Sequence, residues 1–238
     1  MSDSAVPRAG DAGHSNVVKA MSRKRVAVLI SGRGSNMAAL IQAAKQPDYP
    51  AEIALVISNR PDVAGVKNAE AAGIATTIVD HTRFGKDREA FERALQTNLD
   101  VHGVEIVCLA GFMRMLTPWF VRQWEERMIN IHPSLLPAFK GLDTHARALA
   151  AGVKIHGASV HFVVAEVDSG PIIAQAAVPV LAADTPENLA ARVLAAEHRI
   201  YPLALRLVAE GRARIVDGHC VIDGPAAVEG ILVAPDFG

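Results

Sequence analysis

Short apolar runs alternate with amphipathic stretches along the first 130 residues. Residues 25–30 (RVAVLI), 51–58 (AEIALVIS), 75–79, 105–109 (EIVCL) and 128–132 are compact and rich in branched or apolar side chains, and are predicted as buried strands. Between them, 36–45, 63–72, 87–100 and 118–126 are predicted helices. In the third of these, Phe91, Leu95 and Leu99 recur four residues apart and share a face. Gly73 stops the second helix, and Asn59-Arg60-Pro61 closes the second strand. This alternation predicts a Rossmann-like α/β fold, a mostly parallel sheet with helices on both faces. Ligands of such sheets sit beyond the carboxyl ends of the strands.

The pattern changes in the second half. Residues 154–164 place Val160, Phe162 and Val164 in alternation, and 172–180 form a further strand. Asp168-Ser169-Gly170-Pro171 between them is turn chemistry, so the two strands are expected as antiparallel neighbours. Thr185-Pro186 caps a long helix whose apolar stripe reads Leu189, Val193, Ala196, Ile200, Leu203 and Leu207. Pro202 is expected to kink it. Residues 212–222 contain Asp217-Gly218, a hairpin signal. There are no internal repeats. Residues 23–238 read as a single domain, and 1–22, rich in Ser, Ala, Gly and Asp, as a disordered extension; alternatively Met21 is the native start.

Composition narrows the function. The chain has 238 residues, half of them hydrophobic, with 21% charged, 5% aromatic and a formal net charge of -1. It is large and apolar enough to bury a core. There is no basic excess to suggest a nucleic-acid footprint. No apolar run approaches the ~20 residues that cross a bilayer. Cys108 lies in an apolar run and Cys220 is far from it, with no metal-ligand or disulfide spacing, which fits a reducing cytoplasm.

Three segments carry candidate chemistry. Ser31-Gly32-Arg33-Gly34-Ser35-Asn36 follows the first strand and opens a helix, the geometry of an anion site built from backbone N–H groups. Met37 stands where a dinucleotide fingerprint needs its third glycine, and the Lys-Ser/Thr of a P-loop is missing. A single phosphate is the better match; a tight turn capped by Asn36 or Ser35 is the plain alternative. Asn130 and His132 lie two apart on a strand and project together. Such a pair can stabilise an oxyanion and move a proton, or simply cap a strand end. Pro133 to Pro137 fixes the loop that presents His132. Asp168 is either a turn residue or, if within ~4–6 Å of His132, a carboxylate that favours the imidazolium. Of the nine histidines, His14, His81 and His102 read as surface or loop residues, and His156 and His161 lie on a strand.

Six stretches join these pieces: SGRGSN (31–36), LAGFMRML (109–116), INIHPSLLPAFKG (129–141), HGASVHFV (156–163), VDSGPII (167–173) and AEHRIYP (196–202). In this order and spacing, residues 25–222 resemble the phosphoribosylglycinamide formyltransferases, folate-dependent enzymes of purine (IMP) biosynthesis. The NIHPSLLP segment alone is less specific, since methionyl-tRNA formyltransferase and formyltetrahydrofolate hydrolase carry similar versions of it. SGRGSN and AEHRIYP favour the glycinamide enzyme, with the hydrolase or another formyl-folate-binding module as the alternative.

The resemblance implies residue roles. Asn130, His132 and Asp168 match the catalytic trio. Gly34, Ser35, Asn36 and Glu197 match the site for phosphoribosylglycinamide. Arg88, Met113, Arg114, Met115, Leu116, Asn130, Val164, Ala165, Glu166, Val167 and Asp168 match the site for 10-formyltetrahydrofolate, a co-substrate. It implies no metal, no nucleic acid or membrane partner, and a monomer or homodimer. On residue type alone Met113, Met115 and Leu116 fit a core, Arg88 a solvated helix charge and Glu197 a boundary position. Some relatives carry a lysine where Leu194 stands, and Lys140 or Arg33 are candidates to replace its phosphate contact.

Overall fold

The computed structural model describes residues 22–224 and Ala234. The expected extension over 1–22 therefore lies, apart from Ser22, outside the described residues, as does most of the stretch after 224. The parallel half runs β1 (Lys24–Ile30), α1 (Ser35–Ala44), β2 (Ala51–Ser58), α2 (Ala64–Ala71), β3 (Thr76–Ile78), a 3-10 turn (His81–Phe84), α3 (Arg88–Val101), β4 (Ile106–Leu109), α4 (Pro118–Gln123) and β5 (Met128–His132). Then follow α5 (Thr144–Ala150), β6 (Ile155–Phe162), β7 (Ile172–Pro179), α6 (Pro186–Ala209) and the hairpin β8 (Ala213–Val216) and β9 (His219–Ile222).

Seven strands form one sheet in the order β3-β2-β1-β4-β5-β6-β7. The first five are mutually parallel; β6 is antiparallel to both β5 and β7. The strand order reverses between β1 and β4, which opens the crevice where ligands of such sheets bind. The hairpin forms a separate two-stranded sheet. Asp217 and Gly218 both take positive φ, 49° and 77°, as a two-residue turn between twisted strands requires.

Alternation along β1 splits the core in two. Val26, Val28 and Ile30 face α1, α2, α5 and α6, and Ala27 and Leu29 face α3 and α4. Phe91, Leu95 and Leu99 bury the predicted face of α3 on the second side. Each such apolar side chain contributes roughly 1.5–3 kcal/mol when fully buried. On the first side α6 runs uninterrupted through Pro202, and the buried Tyr201 hydroxyl donates to Leu109 O at 2.9 Å, fixing the helix under β4.

One sequence expectation fails and one element goes unread. Leu203 is half exposed, because the buried stripe of α6 passes instead through Glu197, Ile200, Tyr201, Ala204 and Leu205. A heptad-like count of apolar residues admitted Leu203 and excluded the one charged residue that is buried. Helix α5 was not expected at all. It is only seven residues long and follows Asp143, whose φ of 55° breaks the preceding chain.

Candidate active site

The anion loop is shaped by glycine. Gly34 is the N-terminal cap of α1 with φ 73°, and no side chain caps the helix. The capping roles considered for Ser35 and Asn36 are thus vacant, which leaves the first N–H groups of α1 free to meet an anion. A Cβ on Gly34 would lie 3.0 Å from Met37 Cε and 3.1 Å from Gly65 Cα, so α2 packs tightly behind the loop. Gly65 N–H donates to Gly32 O at 3.1 Å. Asn36 Nδ2 donates to Glu197 Oε2 at 2.7 Å, joining two residues 161 apart in sequence. Glu197 is 6% exposed, and burial raises its carboxyl above the usual carboxylate range while the Asn36 bond opposes this.

At the end of β5, Asn130 and His132 share a face, as the alternation required. Ile129 and Ile131 point to the opposite core. His132 Nδ1 lies 3.4 Å from Asp168 Oδ2, and its Nε2 lies 3.0 Å from Phe139 O. Both neighbours are acceptors, so an imidazolium satisfies both contacts and a neutral ring only one. Asp168 takes φ 50° and accepts from Gly141 N–H at 2.9 Å, outside its own turn. The plain turn reading of Asp168 does not explain that arrangement. Gly170 permits it: a Cβ there would lie 1.8 Å from Phe162 O.

His161 completes the cluster. Its Nδ1–H donates to Phe162 O at 2.8 Å, which leaves Nε2 to accept from Asn130 Nδ2 at 3.3 Å. Burial holds His161 below the ordinary histidine range, consistent with a neutral ring in that role. Sequence reasoning had no role for it. The available signal was its pairing opposite Asn130, which needs the β5–β6 register.

The predicted folate wall gathers on one cleft. Arg114, Met115 and Leu116 from the loop after β4 face Val164, Ala165, Glu166, Val167 and Asp168, with Asn130 and His161 also in the lining. Met115 is 62% exposed and Val167 49%, so neither is core. Exposed apolar side chains around one cleft mark a place for an apolar ligand. Met113 lines the adjoining groove beside Arg60 and His81, and Arg88 is exposed at the start of α3, outside the cleft lining. Lys140 is engaged by Ser169 at 2.6 Å and lies 3.7 Å from Glu166, whereas Arg33 is exposed beside the anion loop.

The loop after His132 is clamped from behind. Ser159 Oγ donates to Ser134 O and accepts from Leu136 N–H, and Gln175 Nε2 donates to Leu136 O at 3.0 Å. His156 packs edge-on against Phe139, with ring centroids 5.8 Å apart. Burial pushes His156 down to about 4. His81, expected as a surface or loop residue, sits in the 3-10 turn, half-buried, and bonds Asn59 O through Nδ1 at 2.7 Å.

Because β1, β4 and β5 are adjacent and parallel, the anion loop, the cleft wall and His132 open on the same edge of the sheet. Two strand spacings put β1 about 10 Å from β5. No helix among the described residues is long and apolar enough to cross a membrane. No cluster of His, Cys, Asp or Glu among them has the makings of a metal site.

The formyl transferase family profile matches residues 24–205. The phosphoribosylglycinamide formyltransferase of Escherichia coli K12 is 45% identical over 199 residues, 84% of this chain and 93% of that protein. A trifunctional purine biosynthetic protein adenosine-3 of Gallus gallus is 52% identical over 191 residues, but the chain spans only 19% of its length. A glycinamide ribonucleotide transformylase from Symbiobacterium toebii superimposes with a TM-score of 0.81 at 47% identity, covering 84% of this chain and 94% of that one. With a family match across most of the chain and a relative matched nearly end to end, the chain belongs to the formyl transferase family, among the phosphoribosylglycinamide formyltransferases.

Proposed function

We propose that the protein transfers the formyl group of 10-formyltetrahydrofolate to the amine of 5-phosphoribosylglycinamide, giving the N-formyl product of a purine-synthesis step. The observation that carries this reading is the Asn130–His132–Asp168 cluster, in which Asn130 and Asp168 line the apolar cleft and His132 lies behind them against Asp168, on the same sheet edge as the free helix N-terminus at Gly34. An oxyanion-stabilising pair placed between an apolar site and a phosphate site suits a two-substrate acyl transfer.

In the proposed reaction the substrate amine attacks the formyl carbon, forming a C–N bond and a tetrahedral oxyanion. Asn130 and the His132 imidazolium donate hydrogen bonds to that oxygen. The bond from carbon to the folate nitrogen then breaks. Asp168 keeps His132 charged and relays the proton lost by the amine to the departing folate nitrogen. The N–H groups of Gly34, Ser35 and Asn36 hold the phosphate, and Glu197, oriented by Asn36, holds the rest of the glycinamide substrate. Met113, Arg114, Met115, Leu116 and residues 164–168 enclose the folate, with Arg88 further out. Arg33 is the proposed substitute for the lysine missing at Leu194. The protein works on small molecules in a cytoplasmic setting, as a monomer or homodimer.

A spectrophotometric assay of folate release tests this. Release that requires phosphoribosylglycinamide supports transfer. Equal release without it makes the protein a hydrolase, and folate binding without release makes it a binding module.

A further inference from the structure

The cleft wall formed by residues 112–116 has little to hold it. Between Ala110 N–H, which donates to Leu29 O, and Thr117 N–H, which donates to Glu92 Oε1, its one backbone hydrogen bond among the described residues is from Met113 N–H to Ser31 Oγ at 2.8 Å. Ser31 is the first residue after β1 and is 5% exposed. Its hydroxyl proton goes to Asn59 Oδ1 at 2.6 Å, and Asn59, just after β2, is 1% exposed. One buried hydroxyl thus ties together the chain at the ends of β1, β2 and β4. It sits at the switch point of the sheet, between the anion loop and the cleft.

We propose that Ser31, oriented by Asn59, is a positioning residue that holds the folate-binding wall in register with the phosphate loop. This rests on the formyl-transfer reading above. The hydroxyl must donate to Asn59 because the amide oxygen cannot donate, and it therefore presents a lone pair to Met113 N–H. Without it Asn59 Oδ1 loses its partner in a buried position, and Met113 N–H loses the bond that ties its segment to the end of β1. The phosphate loop has its own supports: Gly65 N–H on Gly32 O, and Ala38 N–H on Gly34 O at 2.9 Å. Loss of the hydroxyl therefore loosens the wall and leaves the loop in place.

Steady-state kinetics on the full-length chain tests this. Ser31→Ala raises the KM for 10-formyltetrahydrofolate about 3- to 10-fold, the scale of one hydrogen bond, with the KM for phosphoribosylglycinamide within about 2-fold. Asn59→Leu, which removes the acceptor that orients the hydroxyl, shifts the folate KM in the same direction as Ser31→Ala. A merely structural role lowers thermal stability or active fraction and leaves both KM values alone. An unchanged folate KM in Ser31→Ala, or an equal rise in both KM values, overturns the inference; if Ser31→Ala fails to fold, Asn59→Leu decides by the same criterion. A wild-type chain with no formyl transfer defeats the reading of function instead, whereas an active wild type with indifferent variants defeats only this inference.

Discussion

The loop after β1 and the bend before β7 both feed the candidate site, by opposite means. The first contributes backbone: N–H groups freed by a left-handed glycine, with no side-chain cap. The second contributes a side chain, Asp168, set against His161 of β6, and their placement depends on close packing at Gly170 and on a register shift in β6 next to His161. A backbone device is written in a few consecutive residues. A side-chain device is written in contacts between distant ones. The first should tolerate change around it, and the second should fail when its packing is disturbed.

The sharpest break of this comparison is at the side-chain end. His132→Ala, like Asn130→Ala, is expected to lower turnover by ~10²–10³ while the fold persists, because one positioned oxyanion donor is lost. Near-normal turnover in purified protein would remove the residue from the chemistry. Next, Gly170→Ala drives a Cβ into Phe162 O, so stability falls by about 1–3 kcal/mol and turnover by ~10² as Asp168 moves. Denaturant melts and kinetics on the same preparation check both.

Gly34→Ala probes the backbone end and is expected to be milder. It imposes a left-handed cost of about 1–2 kcal/mol, which raises the KM for phosphoribosylglycinamide about 5- to 10-fold and spares the folate KM. A larger loss than at Gly170 would invert the comparison. Acid stability follows. His156 stays neutral in the fold down to about 4, whereas an unfolded histidine takes up its proton near 6.5. The unfolded state thus binds the extra proton between those values. Stability is flat above about 6.5 and falls by up to about 1.4 kcal/mol per pH unit toward 4. His145 and His132 are its titratable neighbours, so His156→Phe should flatten only one proton's share of that slope. The smallest effect is Leu203→Ser, about 1 kcal/mol, because half of that side chain is already in water.

Much of this was legible in the sequence. Five apolar runs alternating with amphipathic stretches gave the parallel half, and Thr185-Pro186 gave the start of α6, where Thr185 Oγ1 accepts from Asn188 N–H. Of the residues the resemblance picked for the folate site, Arg114, Met115, Leu116, Asn130 and residues 164–168 line one cleft. What escaped depends on tertiary contact. Helix α5 is too short to show a periodic face. The buried Glu197 interrupts an apolar stripe because its partner is Asn36, which no local pattern reveals. Ser31, Asn59 and Glu92 look like ordinary loop and helix residues until the strand order brings them to the base of the wall. Arg88 illustrates the reverse: a position assigned by resemblance that stands outside the cleft lining, exposed at a helix start.

The most direct test follows the carbon itself. With 10-formyltetrahydrofolate labelled with ¹³C in the formyl group, NMR of the reaction mixture should show the label as a formamide carbon on the glycinamide nitrogen, and only when phosphoribosylglycinamide is present. Label appearing as free formate at the same rate with or without that acceptor would contradict the account.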